Sequence, residues 1–450
     1  MTRTLTLGLP LVGSQVAQML IGLTDTLMLG RYSVPALAAG TLGATFFFTL
    51  FLLTSGFAYG IIGLSSDAAG RGDERGVRRA ARMGLWLAVL AGLAAMPIMF
   101  LSGPILTALG QPADVVIQAE AYLRIVALGL VPALFTVTIR SHLSALERTR
   151  IVLWVTLAGV ALNVGLNAIL IFGAGPFPEL GVRGAAWASV GVNVAMGAML
   201  ALYAARGPGM ARWELFRNPL RPDWQAFGQV FRLGWPIGLT HVSESGLFAA
   251  SALMMGNLGT RELAAHGIAI QIAGATFMVH LGLSQAATVR VGRYAGQGDR
   301  GGLRDAAVAA FALSGIAVAL AMALYWFAGG TMVGAFLDPG DPQAATILSL
   351  GVGLLLVAGL FQLVDAGQVM ALGCLRGLQD TKRPMIYAVL AYWGCGIPVS
   401  YLFGFHTALG AYGVWLGLCV GLAVAAILLT VRFWRLVADR DARPIRLGSV

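Results

Sequence analysis

The motif Ala69-Gly-Arg-Gly-Asp73 returns later in the chain as Ala295-Gly-Gln-Gly-Asp299, and this recurrence indicates that the chain repeats itself at an offset of 226. Working outward from it, Gly8-Leu-Pro10 returns at the same offset as Gly234-Trp-Pro236. Further along, between residues 143–150 and 375–382, the offset drifts to 232. A chain that matches itself at one long period is typical of proteins built from two duplicated halves.

The composition places these halves in a membrane. Apolar residues make up 58% of the 450 residues and charged residues 11%, whereas soluble proteins average about 45–50% and about 25%. This balance excludes a disordered chain and argues against a soluble enzyme. The formal net charge is +10, but the arginines fall in short connections between apolar runs, so we predict no nucleic-acid partner.

Apolar runs of about 20 residues, the length of a helix that crosses a bilayer, recur twelve times. The first run is too long for a signal peptide, so we interpret it as a retained transmembrane helix. The predicted spans are 6–30, 37–64, 83–103, 121–142, 151–174, 183–205, 232–256, 262–289, 306–328, 346–374, 385–404 and 410–434.

The basic residues predict the orientation, because short cytoplasmic loops retain Lys and Arg whereas translocated loops do not. Of the 30 basic residues, those at odd-numbered connections are only Arg31, Arg124, Arg183 and Arg261. The other 26 lie at the termini and at the even-numbered connections. We therefore expect both termini in the cytoplasm and the protein in the inner (plasma) membrane.

An offset that spans six helices makes equivalent helices point the same way through the membrane. The sequence thus predicts an all-α polytopic membrane protein, with twelve transmembrane helices in two parallel six-helix repeats around a central cavity. The predicted divisions are an N-terminal lobe at 1–205, a basic cytoplasmic linker at 206–230 and a C-terminal lobe at 231–450.

Motifs of enzyme chemistry do not emerge from the sequence. The three cysteines have no C-x-x-C spacing, and the five histidines form no H-E-x-x-H pair. We therefore predict no enzymatic activity, no cofactor and no obligatory protein partner.

The informative residues are acids at membrane depth, where a carboxylate is costly unless it is paired or protonated. They are Asp25, Glu244 and Asp365. Gln18 shares a helix face with Asp25, and Gln362 shares one with Asp365, because residues three or seven positions apart lie on one side of a helix. The repeat aligns Glu244 with Gln18, so the two halves differ at their ionisable positions.

The helical rise of about 1.5 Å per residue groups these acids into two sets. Asp25 lies about 25 Å from the cytoplasmic end of its helix, and Asn163 and Asn167 lie at about 18 to 24 Å on theirs. Glu244 and Asp365 lie at about 16 Å and about 13 Å. We therefore predict that Asp25 meets the asparagines in one lobe and that Glu244 meets Asp365 in the other.

Plainer roles stay open for several of these side chains. Asp25 can instead pair with Arg31, and the two asparagines, Asn163 and Asn167, can simply join helices through their amides. Phe361 can pack against its neighbours rather than contact a cation through its ring.

Several residues stand in one combination: Pro10 with Leu23-Thr-Asp25-Thr and Gly30, Pro236 followed by Glu244, and Asp365 followed by Leu375-Arg-Gly-Leu-Gln-Asp380. This combination resembles the multidrug and toxic compound extrusion (MATE) transporters, and it is most similar to their NorM-like branch. The resemblance covers essentially the whole chain.

The resemblance implies secondary active efflux of cationic amphipathic compounds in exchange for Na⁺ or H⁺. On this basis the coupling cation is assigned to Glu244 and Asp365, the candidate Na⁺ ligands, and to Asp25. Binding of the cation or the substrate is assigned to Asn163, Asn167, Gln18, Phe361 and Gln362.

Two other transporter classes are alternatives. The loop from Gly70 to Arg79 resembles one found in major facilitator transporters, which are also built from six plus six helices. A flippase for lipid-linked oligosaccharides is the second alternative. A passive channel is disfavoured, because it has no need of coupled carboxylates.

Overall fold

Long helices make up nearly all of the computed structural model, which describes residues 2–173, 177–338 and 340–442. The predicted all-helical class is confirmed. Met1 and residues 443–450, where the predicted C-terminal lobe ends, lie outside the described residues, as do 174–176 and 339.

Within the described residues, twelve long helices follow the twelve predicted spans in order. Most of them continue beyond the apolar runs and include charged residues at their ends. The helices are α1 (Thr2–Tyr32), α2 (Val34–Gly70), α3 (Glu74–Phe100), α4 (Ala113–Ala145), α5 (Thr149–Phe172), α6 (Val182–Arg206), α7 (Trp224–Leu258), α8 (Thr260–Gln297), α9 (Arg300–Gly334), α10 (Ala344–Gly377), α11 (Lys382–Phe405) and α12 (Ala411–Ala442). Shorter elements are the helix Ser102–Ala108, the 3₁₀ turn Ala211–Trp213 and a π-helical stretch inside α11, Leu390–Gly396.

Eleven of these helices are long and apolar enough to cross a membrane. The remaining one in the described part of the chain is α7, which has 35 residues. Its length suffices, but Arg232, His241, Glu244 and several hydroxyl side chains lower its mean hydropathy. The repeat partner of this polar helix is α1, which does meet both conditions.

The repeat is visible where helices begin. At the start of α3, Asp73 accepts a hydrogen bond from the backbone N–H of Gly76 at 2.8 Å. At the start of α9, Asp299 accepts one from Gly302 at 2.9 Å. Both motifs therefore form the same N-terminal cap, which satisfies a backbone N–H that has no helical partner. The glycine before each cap is left-handed, with φ +72° at Gly72 and +70° at Gly298.

Packing divides the chain into two compact units, a first unit of Gly13–Gly238 and a second unit of Met1–Val12 with Leu239–Val450. The borders cut α1 and α7 at equivalent positions of the repeat. Close packing explains why each helix segment stays with its unit. In the first unit a side chain at Gly234 would collide with the backbone of Phe57, and in the second one at Gly282 would collide with Val12. The predicted borders differ from these: they leave α1 whole, and the one at 230/231 cuts α7 at an earlier residue than the border at 238/239.

The segment between α6 and α7 folds onto the first unit. Trp213 is buried there, and its carbonyl accepts a hydrogen bond from Arg78 Nε at 3.0 Å. Arg79 binds Asp223 through two hydrogen bonds, and this guanidinium holds the pKa of the Asp223 carboxyl below its ordinary value. Part of the predicted linker 206–230 is thus bound to the first unit, and its last residues, from Trp224 on, belong to α7.

Candidate functional site

In the first unit, Asp25 of α1 is held by amide and hydroxyl donors. Asn163 Nδ2 donates to Asp25 Oδ1 at 2.9 Å, and Asn167 Nδ2 donates to the same oxygen. Ser189 of α6 donates to Oδ2 at 3.3 Å. The predicted meeting of Asp25 with the two asparagines is therefore observed. The spacing of four residues explains it, because both amides project from one face of α5.

The donors of this cluster are directed at the Asp25 carboxyl group. The two asparagines, Asn163 and Asn167, are fully buried, whereas Asp25 is partly exposed. Within the described residues Asp25 forms no ion pair with Arg31, whose side chain is exposed. Three hydrogen bonds to a carboxylate compensate much of what it loses on leaving water.

Gln18 lies outside this cluster and binds an arginine instead. Arg140 of α4 donates from Nη1 to Gln18 Oε1 and from Nη2 to Gln15 Oε1, both at 3.0 Å. Sequence reasoning missed Arg140, because this residue lies near the cytoplasmic end of its predicted span. There its position resembles that of an arginine in a cytoplasmic loop. The available signal was its position inside the span 121–142.

In the second unit, Glu244 of α7 and Asp365 of α10 interact electrostatically, as the sequence predicts. Gln368 Nε2 donates to Glu244 Oε1 at 3.3 Å. One turn before Glu244, His241 Nε2 lies 3.0 Å from Arg376 Nη2. A guanidinium can only donate, so this ring nitrogen is the acceptor and His241 is neutral here.

Asn167 Oδ1 of the first cluster lacks a described partner, but in the second cluster an oxygen of a carboxylate itself is bare. Asp365 is only 1% exposed, yet its Oδ1 has no hydrogen-bond partner among the described residues. The same holds for Gln368 Oε1 and for the hydroxyl of Tyr392 on α11. Tyr392 interacts electrostatically with both carboxylates. Buried polar atoms are rarely left unsatisfied, so a group of them calls for an additional partner.

Two further predicted residues face other neighbours. Gln362 Nε2 donates to the backbone oxygen of Ala273 at 2.8 Å and to the hydroxyl of Thr276 on α8. Phe361 is buried, with its ring edge-on to Phe248 and Trp415 at centroid distances of 5.9 and 5.5 Å. In this arrangement Phe361 contributes to the packing of α10. The side-chain oxygen of Gln362 has no hydrogen-bond partner among the described residues.

Arg376 and Tyr392 are residues of the second cluster that sequence reasoning missed. Arg376 lies in the last turn of α10, where an arginine is expected at the cytoplasmic edge. Its long side chain nevertheless reaches His241, because helical side chains lean towards the helix N-terminus. Tyr392 lies in the π-helical stretch of α11, which apolar periodicity does not reveal.

Comparison with known proteins assigns the family. The MatE profile matches residues 10–169 and 236–402. A probable multidrug resistance protein NorM of Rhizobium meliloti (strain 1021) is 44% identical over 441 residues, which cover 98% of this chain and 94% of that protein. A protein of the same description from Pseudomonas putida is 39% identical, covering 95% and 93%.

Solved structures agree on the fold. The outward-facing conformation of a multidrug resistance MATE family transporter matches with a TM-score of 0.86 at 21% identity, covering 97% of this chain and 95% of that one. A eukaryotic MATE transporter matches with a TM-score of 0.86 at 18% identity, covering 98% of both chains. The resemblance identified from the sequence is thus confirmed. The chain belongs to the MatE family and is a multi-pass membrane transporter rather than an enzyme.

Proposed function

We propose that this protein is a secondary active multidrug exporter, which moves cationic amphipathic compounds out of the cell in exchange for Na⁺ or H⁺. The observation that carries the proposal is the buried Asp365 carboxylate with a bare oxygen, next to the second carboxylate of Glu244. The proposal is also supported by the curated relatives, which are described as multidrug resistance proteins.

A site of this kind offers oxygen ligands to a hard cation. Two carboxylates with one bare oxygen, a free amide oxygen of Gln368 and a hydroxyl of Tyr392 offer the hard oxygen atoms that Na⁺ prefers. A proton on either carboxylate removes the same excess charge. Either ion lowers the free energy of burying negative charge in the cluster, and this favours binding of one of them.

Antiport requires that the coupling cation and the drug favour different conformations, because a ligand shifts an equilibrium only by its differential affinity. We assign the coupling cation to Glu244 and Asp365, with Gln362 one turn away. We assign the positive charge of the drug to Asp25, whose carboxylate is partly exposed and held by Asn163 and Asn167. Because these two sites are separate, the coupling cation and the drug can each bind to the same protein.

Ethidium efflux from inverted membrane vesicles tests the proposal, with a Na⁺ gradient and a pH gradient imposed in turn. We expect one of the two gradients to drive transport, and Glu244→Gln to remove that dependence at normal expression. Transport that follows neither gradient contradicts antiport and favours the flippase for lipid-linked oligosaccharides.

The orientation is part of the proposal, with both termini in the cytoplasm and the chain in the inner membrane. Asp73 and Asp299 occupy the equivalent caps at the starts of α3 and α9. Single cysteines at these two positions are expected to react with a membrane-impermeant maleimide in inverted vesicles and not in intact cells. Reaction of either cysteine in intact cells contradicts this orientation.

A further inference from the structure

Arg376 is a positively charged side chain beside the second cluster that the proposed mechanism does not use. It lies in the last turn of α10, eleven residues after Asp365 and therefore on the same helix face. Its Nη2 atom lies 3.0 Å from Nε2 of His241 on α7. Glu244 follows His241 by three residues, so both side chains project from one side of α7. The guanidinium is therefore held beside the two carboxylates, on the side of the cluster where α10 ends.

Electrostatic interactions connect this guanidinium to the rest of the cluster. Arg376 interacts with Glu244. Tyr392 on α11 interacts with Arg376 and with both carboxylates. His241 accepts the hydrogen bond of the guanidinium and is therefore neutral. Two carboxylates and one guanidinium thus share one cluster, and together they leave a single excess negative charge when both acids are ionised.

The first unit does not contain this balance of charges. The repeat aligns Gln15 with His241 and Gln18 with Glu244, and both glutamines accept hydrogen bonds from Arg140. In each repeat, then, an arginine of the fourth helix binds the first helix. The first repeat gives its arginine uncharged amide partners, whereas the second repeat places its arginine beside carboxylates.

We propose that Arg376 determines the valence of the coupling cation, because its charge leaves the cluster one negative charge for a monovalent ion to neutralise. The guanidinium repels an added cation in proportion to the charge of that cation. In free energy it therefore disfavours a divalent ion twice as strongly as a monovalent ion at the same place. The inference rests on the proposed function, and it names a residue that determines specificity at the same site.

The burial of the cluster makes an unbalanced charge costly. Asp365 is only 1% exposed, and its Oδ1 has no hydrogen-bond partner among the described residues. An ion bound at this oxygen is largely removed from water, so any net charge that remains is poorly solvated. One monovalent cation leaves the cluster neutral, whereas a divalent cation leaves an excess positive charge. Without Arg376 the two carboxylates, together with neighbouring oxygen atoms, form a set of ligands that suits Ca²⁺.

Binding of radioactive Na⁺ and Ca²⁺ to the purified full-length protein at pH 8 tests the proposal, with the two Kd values as readouts. Arg376→Gln is expected to tighten Na⁺ binding about tenfold and Ca²⁺ binding about 100-fold, because the repulsion that it removes is twice as large for the divalent ion. Arg376→Met is a second neutral variant, which keeps an unbranched apolar stem, and the same two changes are expected.

Three further variants serve as controls. Arg376→Lys keeps the positive charge and is expected to retain the wild-type ratio of the two Kd values. Arg432→Gln removes an arginine of the same unit whose partner is Asp380, and it is expected to leave this ratio unchanged. The double variant Arg376→Gln with Glu244→Gln again has a single excess negative charge. It is expected to restore the preference for Na⁺, which a purely structural role of Arg376 does not explain.

The outcomes separate the role of Arg376 from the proposed function. A larger gain for Ca²⁺ than for Na⁺ in the neutral variants supports the proposal. Equal changes in the two Kd values, or no gain of Ca²⁺ binding in either neutral variant, overturn it. Weaker binding of both ions also overturns it, because it reveals a structural role. If gradient-driven ethidium efflux is absent from wild-type vesicles, the proposed function fails, and the binding of Na⁺ and Ca²⁺ still decides the role of Arg376.

Discussion

Asp25 in the first unit accepts hydrogen bonds from Asn163, Asn167 and Ser189, whereas Asp365 in the second unit is buried with a bare oxygen. The two units share the order of their helices and the caps at Asp73 and Asp299, but not the partners of their carboxylates. A duplicated backbone therefore carries two different polar sites. The first surrounds its carboxyl group with hydrogen-bond donors, and the second leaves a carboxyl oxygen free for an added cation.

The largest difference is expected in energy coupling. Asp365→Asn removes the charge that we assign to the coupling cation, so gradient-driven efflux should fall about 100-fold, near the upper end of typical coupling energies. Asp25→Asn should leave coupling intact for uncharged substrates. Efflux from inverted vesicles measures both, with membrane expression as the control. Undiminished efflux in Asp365→Asn and in Glu244→Gln would contradict the assignment of the coupling cation to these residues.

The same two substitutions should change stability in opposite directions. Asp25→Asn replaces one acceptor oxygen by an NH₂ group that donates and faces other donors, so it should cost about 1–3 kcal/mol. Asp365→Asn removes a buried charge with a bare oxygen and should be neutral or stabilising by about 1 kcal/mol. Thermal unfolding in detergent at pH 8 without Na⁺ reads out the sign. Equal losses of stability in Asp25→Asn and Asp365→Asn would contradict the difference proposed between the two clusters.

A third test concerns substrate charge. If Asp25 recognises cationic drugs, Asp25→Asn should lower export of permanently cationic dyes about tenfold more than export of neutral compounds, the loss of one charge-assisted contact. Glu244→Gln should impair both classes alike, because it acts on coupling. Similar losses for both classes in the Asp25 variant would make Asp25 a third coupling residue.

The smallest effects should be equal in the two units. Gly72→Ala and Gly298→Ala put a side chain on left-handed backbone with open space around it, so each should cost about 1 kcal/mol through backbone strain alone. Gly228→Ala is the control, since it lies in α7 with open space and should be neutral or stabilising. Unequal costs at the two positions would contradict the equivalence of the two caps.

The partners of the buried acids could be predicted from the sequence, whereas those of two arginines could not. Asp25 and Asn163 were paired correctly from depth alone, because a helix has a fixed rise and buried polar groups seek each other. The meeting of Glu244 with Asp365 followed from the same reasoning. Arg140 and Arg376 were missed, because their Cα positions indicate the cytoplasmic edge while their long side chains reach further in.

The sequence by itself determined the helices, their order and the repeat, because membrane burial demands long apolar runs and because duplication leaves a fixed offset. It also determined which acids lie at membrane depth. Only the tertiary structure decided that Gln18 faces Arg140, that Phe361 packs among aromatic rings, and that residues 1–12 belong with the second unit. The physical reason is that side-chain partners depend on how neighbouring helices pack, and a one-dimensional pattern of apolar residues does not encode that packing.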